Sequence, residues 1–411
     1  MALLNRSPPP AQEPDPVMTL NAPAITDSVA MNGGLDGHIA FAMTGDFHRN
    51  ARAIKQVRSL TSAGFSVTVF HLAGSAPAIA LPEGASIVDL KRPEGKGPLF
   101  FRQVSRLFLA SLANIKADIW HASDLYALSA CRRRADESGS ALTYDAREYY
   151  PHVAGTVGRP WSRWWWARTE RRDITRTDSV FTVSDSIADA LASDYGIRRP
   201  HVVHNAPFSD SSRASGNFPG LASRTGVDTP VILHLGQMKA HRGGEGLVRA
   251  MLDVDAAQLV FLGYGSEQAN LEELTRDLGL SERIHFLEPV APDEIRTTIR
   301  DARIGVTMLE DTCLNHRYAL PNKLFDYVHA GVPVLGAALD EVDTIISRFD
   351  IGMTADPSDP RSIANALLDM LNDDRQNRWR SNLPRAAETF TWESASQRFL
   401  DGMVQALSAR L

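Results

Sequence analysis

From residue 38 onward the chain repeats one pattern: a short apolar run, then a helical stretch, then another apolar run. HIAFAM (residues 38–43) and FSVTVF (65–70) open the series, and further runs follow at 85–90, 117–122 (ADIWHA), 141–146, 179–184 and 201–206. Runs this short and this continuously apolar suit strands covered on both faces, which requires a parallel sheet with helices above and below. Residues 209–228 (SDSSRASGNFPGLASRTGVD) break the series with a polar, Gly/Ser-rich stretch. The alternation then restarts at 231–235, 258–262 (QLVFL), 284–287, 304–309 (IGVTML) and 333–336. The expected fold class is therefore α/β, with two Rossmann-like halves and one boundary between them. Residues 37–207 form the first half, 208–228 the linker and 229–391 the second half. Residues 392–411 read as a last amphipathic helix whose direction the pattern leaves open.

Composition excludes several alternatives. Apolar residues make up 44% and charged residues 22% of the 411, near the average for a globular protein and far from a disordered or fibrous chain. A net charge of −6 argues against a dedicated nucleic-acid binder. The two cysteines have no Cys-x-x-Cys or Cys/His spacing around them, which fits a reducing cytoplasm better than a disulfide or zinc framework. No apolar run reaches the roughly 18 residues needed to span a bilayer, and the first residues lack the basic-then-apolar order of a signal peptide. A cytoplasmic location is expected. Residues 1–36, with prolines at 8, 9, 10, 14, 16 and 23, read as a flexible leader.

Ligands of open parallel sheets bind beyond the carboxyl ends of the strands, so chemistry is sought in the strand-to-helix loops. The strongest stretch is LPNKLFDYVHAGVPVL (320–335), introduced by Asn315, His316, Arg317 and Tyr318. Pro321 suits the first turn of a helix, and Lys323 and Asp326, three apart, share one face near its N-terminus. A cation and a helix N-terminus can take phosphate charge, while a carboxylate accepts hydrogen bonds from ribose hydroxyls. The same spacing also suits an ordinary surface ion pair. After the strand at 231–235 comes Gly236, then Lys239, His241 and Arg242, then Gly243 and Gly244 before a helix. This loop could admit a phosphate to the backbone and clamp it with Arg242, although a solvated loop has the same composition. A third glycine pair, Gly263 and Gly265, flanks Tyr264. The first strand is followed by Thr44-Gly45-Asp46-Phe47 instead of Gly-x-Gly-x-x-Gly, which speaks against a dinucleotide-dependent oxidoreductase.

In order and spacing these pieces resemble retaining glycosyltransferases of the GT-B fold, family 4 (glycosyl transferases group 1). In the second half the matching segments are Leu235–Glu245, Gly263-Tyr264-Gly265, Ile284–Pro289 and 320–335. In the first half they are Asp46–Gly64, TYDARE (143–148), 182–196 and His204-Asn205. The resemblance implies two Rossmann-like domains facing across a cleft, with the C-terminal helix returning to the first. It implies transfer of a sugar, as a hexosyltransferase, from a nucleotide-diphosphate sugar to a glycan or lipid-linked acceptor in polysaccharide or glycoconjugate biosynthesis. Arg242 and Lys323 would neutralise the diphosphate and Asp326 would grip the ribose. Gly236, Gly263, Tyr264, Gly265, Asn315, Pro321 and Leu324 would complete the donor site. Asp46, Arg49, Arg147 and Glu148 would form the first-domain loops around the acceptor. No cofactor or metal is implied, and the only Asp-x-Asp, Asp253-Val254-Asp255, is expected to be a solvated terminus.

Two positions depart from the family pattern. Tyr318 stands where many members have a further glutamate, and Arg147 where many have a histidine. These leave open a non-catalytic nucleotide-sugar-binding protein, and the shared two-domain fold leaves open a nucleotide-sugar epimerase. Residues 161–176 (WSRWWWARTERRDITR) place four tryptophans beside five arginines, a combination suited to peripheral contact with an anionic membrane or, alternatively, to covering the sheet. The apolar stripe of residues 99–115 reads as core.

Overall fold

The computed structural model describes residues 37–74, 78–95, 97–209, 218–226 and 229–410. The proline-rich leader and the centre of the linker lie outside them. The first half is a seven-stranded sheet of β1 (His38–Met43), β2 (Ser66–Leu72), β3 (Ala85–Leu90), β4 (Ile119–Ala122), β5 (Ala141–Ala146), β6 (Ser179–Thr182) and β7 (His201–Val202). The strand order is β3-β2-β1-β4-β5-β6-β7, and every pair is parallel. The second half has β8 (Val231–Leu235), β9 (Gln258–Leu262), β10 (Ile284–Leu287), β11 (Ile304–Thr307), β12 (Val334–Ala337) and β13 (Gly352–Ala355) in the order β10-β9-β8-β11-β12-β13, again all parallel. The central strands are buried throughout, as their unbroken apolar sequences require.

The sequence pattern did not show β13. Its run begins with Gly352, which ordinarily signals a turn. Here a Cβ at residue 352 would lie 1.9 Å from the Val334 carbonyl oxygen, so glycine is what lets this edge strand approach β12.

In each sheet the order reverses at one place, between β1 and β4 and between β8 and β11. The loops after these strands are where an open sheet presents a ligand. From residue 37 onward the described residues form one compact unit, in which the two reversal points face each other across a cleft.

The last helix, Trp392–Ser408, returns to the first sheet. The Phe399 ring lies 4.9 Å from that of Phe181 on β6, and Arg398 Nε donates to the Val202 carbonyl at 2.9 Å. A side chain at Gly402 would strike the Phe181 ring, so the helix lies directly on the strand. Trp392 begins it, fully buried, with Nε1 donating to Ser59 Oγ at 3.0 Å. No helix among the described residues is long and apolar enough to cross a membrane.

Candidate functional site

The cleft encloses about 840 Å³. Its second-half wall is built on the helix Asn322–His329, which an apolar face fastens to the sheet. The Tyr327 hydroxyl accepts from the Leu235 N–H at 2.9 Å and lies 2.9 Å from the Leu233 carbonyl and 3.1 Å from that of Val306, bridging β8 and β11. Gly305 on β11 makes room for this ring, since a Cβ there would lie 2.4 Å from it. The helix is thereby held with its N-terminus toward the cleft. Pro321 occupies the cap position without a side-chain hydrogen bond, leaving the first-turn amides uncapped by any side chain.

Lys323 and Asp326 are both half-buried on the cleft side of this helix. Lys323 Nζ lies 3.2 Å from Nε2 of His234, a fully buried ring on β8. Burial pushes the His234 pKa well below its usual value, so the neutral ring accepts from the ammonium. Burial and the nearby Arg242 charge lower Lys323 to about 7. Burial raises the Asp326 carboxyl to about 6, against the opposing charges of Lys55, Lys323 and Arg296. Both groups are held in less favourable charge states than in water, and an anion beside Lys323 or hydroxyl donors on Asp326 would relieve this.

Arg242 is exposed on the cleft wall, in the loop after β8. This loop and the one after β9 run against each other: Met238 N–H donates to the Tyr264 carbonyl at 2.9 Å and Gly236 N–H to that of Leu262 at 2.8 Å. Only glycine permits the approach. A Cβ at Gly263 (φ 152°) would lie 2.1 Å from the Gly236 carbonyl oxygen, and one at Gly265 would lie 1.8 Å from that of Met238. Gly236, Gly263 and Tyr264 line the cleft, whereas Gly265 is the packing point beneath it.

The first half supplies Arg49, Arg147 and Glu148 to the opposite wall. Glu148 follows β5, and burial raises its carboxyl above the usual range, opposed by Arg147 and by Arg242 from across the cleft. Asp145, on the same strand, is fully buried in a two-pronged pair with Arg52 (2.7 and 2.8 Å) and also accepts from Gln56 Nε2 at 2.9 Å. Its role is structural.

Asn315 and Pro321 also line the cleft, but Asn315 is already engaged: its Oδ1 accepts from the Tyr149 N–H at 2.7 Å, joining the halves. Besides Gly265, two expected site residues lie off the cleft lining. Leu324 is fully buried in the second-half core, because the position after Lys323 turns toward the sheet. The Asp46 carboxylate accepts from the His48 N–H at 3.1 Å and caps the short turn after β1. Tyr318 stacks on Tyr149 (centroids 6.2 Å apart) and packs against the first-half core.

Two contributors escape sequence reading. His234 is one polar residue in an apolar strand, a weak signal at best. Lys55 carries none: it sits on the helix Ala51–Ser62, where its Nζ donates to the Ala206 carbonyl at 2.6 Å and lies over the Trp392 ring at 4.7 Å.

Among the described residues, His48, His71 and Asp89 have metal-like spacing. However, both imidazole Nδ1 atoms accept backbone N–H groups, from Ile79 and Phe47, and His71 Nε2 donates to Asp89 at 2.7 Å. The Nδ1 lone pairs of both rings are thus already engaged by backbone N–H groups.

Two Rossmann-like sheets facing across a cationic cleft, with a C-terminal helix returning to the first, define the GT-B class. Within it the chain belongs to the glycosyltransferases: residues 52–206 match the model of Glycosyltransferase Family 4 and residues 229–373 that of Glycosyl transferases group 1. Among curated proteins it is similar to a D-inositol 3-phosphate glycosyltransferase of Xylanimonas cellulosilytica, 27% identical over 59% of this chain and 60% of that one. It is also similar to the lipopolysaccharide core biosynthesis glycosyltransferase LpsE of Rhizobium meliloti, 25% identical over 57% of this chain and 65% of that one. The chain thus spans less than two thirds of the length of these relatives. Among solved structures, sucrose-phosphate synthase from Thermosynechococcus elongatus superposes with a TM-score of 0.74 at 16% identity, covering 90% of this chain and 99% of that one. Anabaena HepE in complex with UDP-glucose gives 0.65 at 15%, covering 90% and 99%. These likenesses concern the fold.

Proposed function

We propose that this protein transfers a hexosyl group from a nucleoside-diphosphate sugar, held in the cleft, to a hydroxyl of a glycan or lipid-linked acceptor, with retention of configuration. One observation carries the reading: Arg242, Lys323 and the uncapped N-terminus of the helix Asn322–His329 converge on the cleft with the Asp326 carboxylate on the same helix. That set matches a diphosphate followed by a ribose. The UDP-glucose complex of HepE and the names of the curated relatives are consistent with it.

In the proposed step the bond from the anomeric carbon to the diphosphate oxygen breaks, and both bonding electrons leave with the phosphate. The acceptor oxygen bonds to that carbon from the same face and passes its proton to the departing phosphate oxygen. Arg242, Lys323 and the helix N-terminus stabilise the charge developing on the leaving group, and no metal ion is assigned a part. Arg147 and Glu148 face this region from the first half.

Incubation with a panel of nucleotide sugars, followed by NMR of the released or transferred sugar, tests the reading. Turnover with a retained anomeric configuration is expected. Binding without turnover, even with lipid extract present, would favour a non-catalytic binder, and release of an epimerised sugar would favour an epimerase.

We also propose contact with the inner face of the cell membrane. On the helix Pro160–Ile174, Trp161 and Trp164 are 67% and 56% exposed beside exposed Arg163 and Arg168, whereas Trp165 and Trp166 turn inward onto Phe101. Indoles and guanidinium groups exposed together suit an anionic interface. Flotation with anionic vesicles is expected, weakened in Trp161→Ala/Trp164→Ala; wild-type protein that stays at the bottom of the gradient at moderate salt would end the idea.

A further inference from the structure

Beside the donor cleft, sharing Arg147, Glu148 and Val153 with it, lies a second hollow of about 400 Å³ built wholly from the first half. Two aromatic rings form one side: Tyr126 and Trp166 lie 5.4 Å apart, inclined at 64°, both propped by Phe101. Such faces offer apolar surface to the C–H face of a sugar.

The opposite side is polar, and its charge differs from that of the adjoining cleft, which Arg49, Arg242 and Lys323 line. Of the acidic and basic side chains lining the hollow, Asp124 and Glu148 are carboxylic and Arg147 is the single cation. The helix Leu125–Ser138 starts here, and its N-terminus would ordinarily attract a phosphate. Asp124 already fills that position. Its carboxylate accepts from the N–H groups of Tyr126 (3.0 Å) and Ala127 (3.2 Å) and from both N and Oγ1 of Thr44 (2.7 Å each). Arg147 lies 3.7 Å from the same carboxylate, so its charge too is answered within the protein. A phosphorylated ligand would bring up to about two further negative charges to a wall that already carries an acidic excess. Glu148 remains as a polar group for hydroxyls, and Thr44 Oγ1, its proton given to Asp124, can only accept.

We propose that this hollow is the acceptor subsite and that it takes an uncharged sugar unit, not a phosphorylated one. The inference rests on the glycosyltransferase reading above. It places the acceptor hydroxyl at the Arg147–Glu148 seam, where the hollow opens to the donor.

The test is saturation-transfer NMR on the full-length protein saturated with nucleoside diphosphate, using methyl hexosides and the corresponding methyl hexoside 6-phosphates as probes. A neutral hexoside is expected to bind, and its phosphate at least tenfold more weakly. Glu148→Gln, an isosteric change that removes the carboxylate charge, is expected to narrow that gap at least threefold. Equal or tighter binding of the phosphates overturns the proposal, as does failure of every hexoside to bind while the nucleotide does. Loss of nucleotide binding in the wild-type protein would instead overturn the donor reading on which the proposal stands.

Discussion

Lys323 and Asp326 are one helical turn apart, and the pKa of each is moved toward neutrality by burial, Lys323 down to about 7 and Asp326 up to about 6. A charge-assisted hydrogen bond contributes about 1.5–3 kcal/mol. Lys323→Ala and Asp326→Ala should therefore each weaken nucleoside diphosphate binding by about 10- to 100-fold in calorimetry; unchanged affinity in both would remove the site assignment. The shifts also set a pH dependence. Lys323 is charged below about pH 7, so above it binding requires proton uptake and affinity falls as pH rises. Asp326 is ionised above about pH 6, so affinity falls again as pH drops through that value. Titrations across pH should show a maximum between the two, and buffers of different ionisation enthalpy should reveal net proton uptake on the alkaline side. The placement of Lys323 and Asp326 together on the cleft was legible in the sequence, because both lie on one helix, where spacing translates directly into geometry. Leu324 misled for the same reason: adjacency in a motif says nothing about which way a side chain turns. His234 and Lys55 were illegible because their relevance depends on strands and crossings distant in sequence.

At the scale of elements, the paired loops after β8 and β9 depend on glycines that touch backbone. Gly263→Ala would place a methyl group 2.1 Å from the Gly236 carbonyl oxygen at a φ of 152°, which L-residues rarely adopt. A cost of about 2–4 kcal/mol is expected in denaturant unfolding, with a parallel loss of nucleotide binding as the Arg242 loop shifts. Unchanged stability would show that the two loops separate freely. Element order was readable because covered parallel strands carry continuous apolar runs. β13 failed that reading since its first residue is chosen for closeness to β12 and not for apolar content.

At the scale of the molecule, the halves are held by contacts no local pattern announces. Asn315 meets the Tyr149 N–H, Ser184 Oγ donates to the Tyr318 carbonyl at 2.7 Å, and Glu341 accepts from the Ser186 N–H at 2.5 Å. Tyr318, a departure from the family pattern when read as a missing acid, is here a bearing surface between the halves. The C-terminal helix depends on Trp392, whose truncation to Ala should cost about 3–5 kcal/mol. Because that helix covers the first sheet, Trp392→Ala should split urea unfolding into two transitions, the first half melting earlier. A single transition at an unchanged midpoint would mean the helix adds little.

The returning helix has a mechanical consequence. The chain passes between the halves twice, and the passages run side by side: Trp392 N–H donates to the Pro207 carbonyl at 2.7 Å, and Ser209 N–H to Glu393 at 3.0 Å. Two adjacent tethers would act as a book's spine, letting the covers part while resisting any swivel of one upon the other. Points near a spine travel least, and Lys55, seated between Ala206 and Trp392 with its charge toward Asp326, lies against it. The Asp326 end of the cleft would thus keep its alignment as the pages turn, while the outer margin opens.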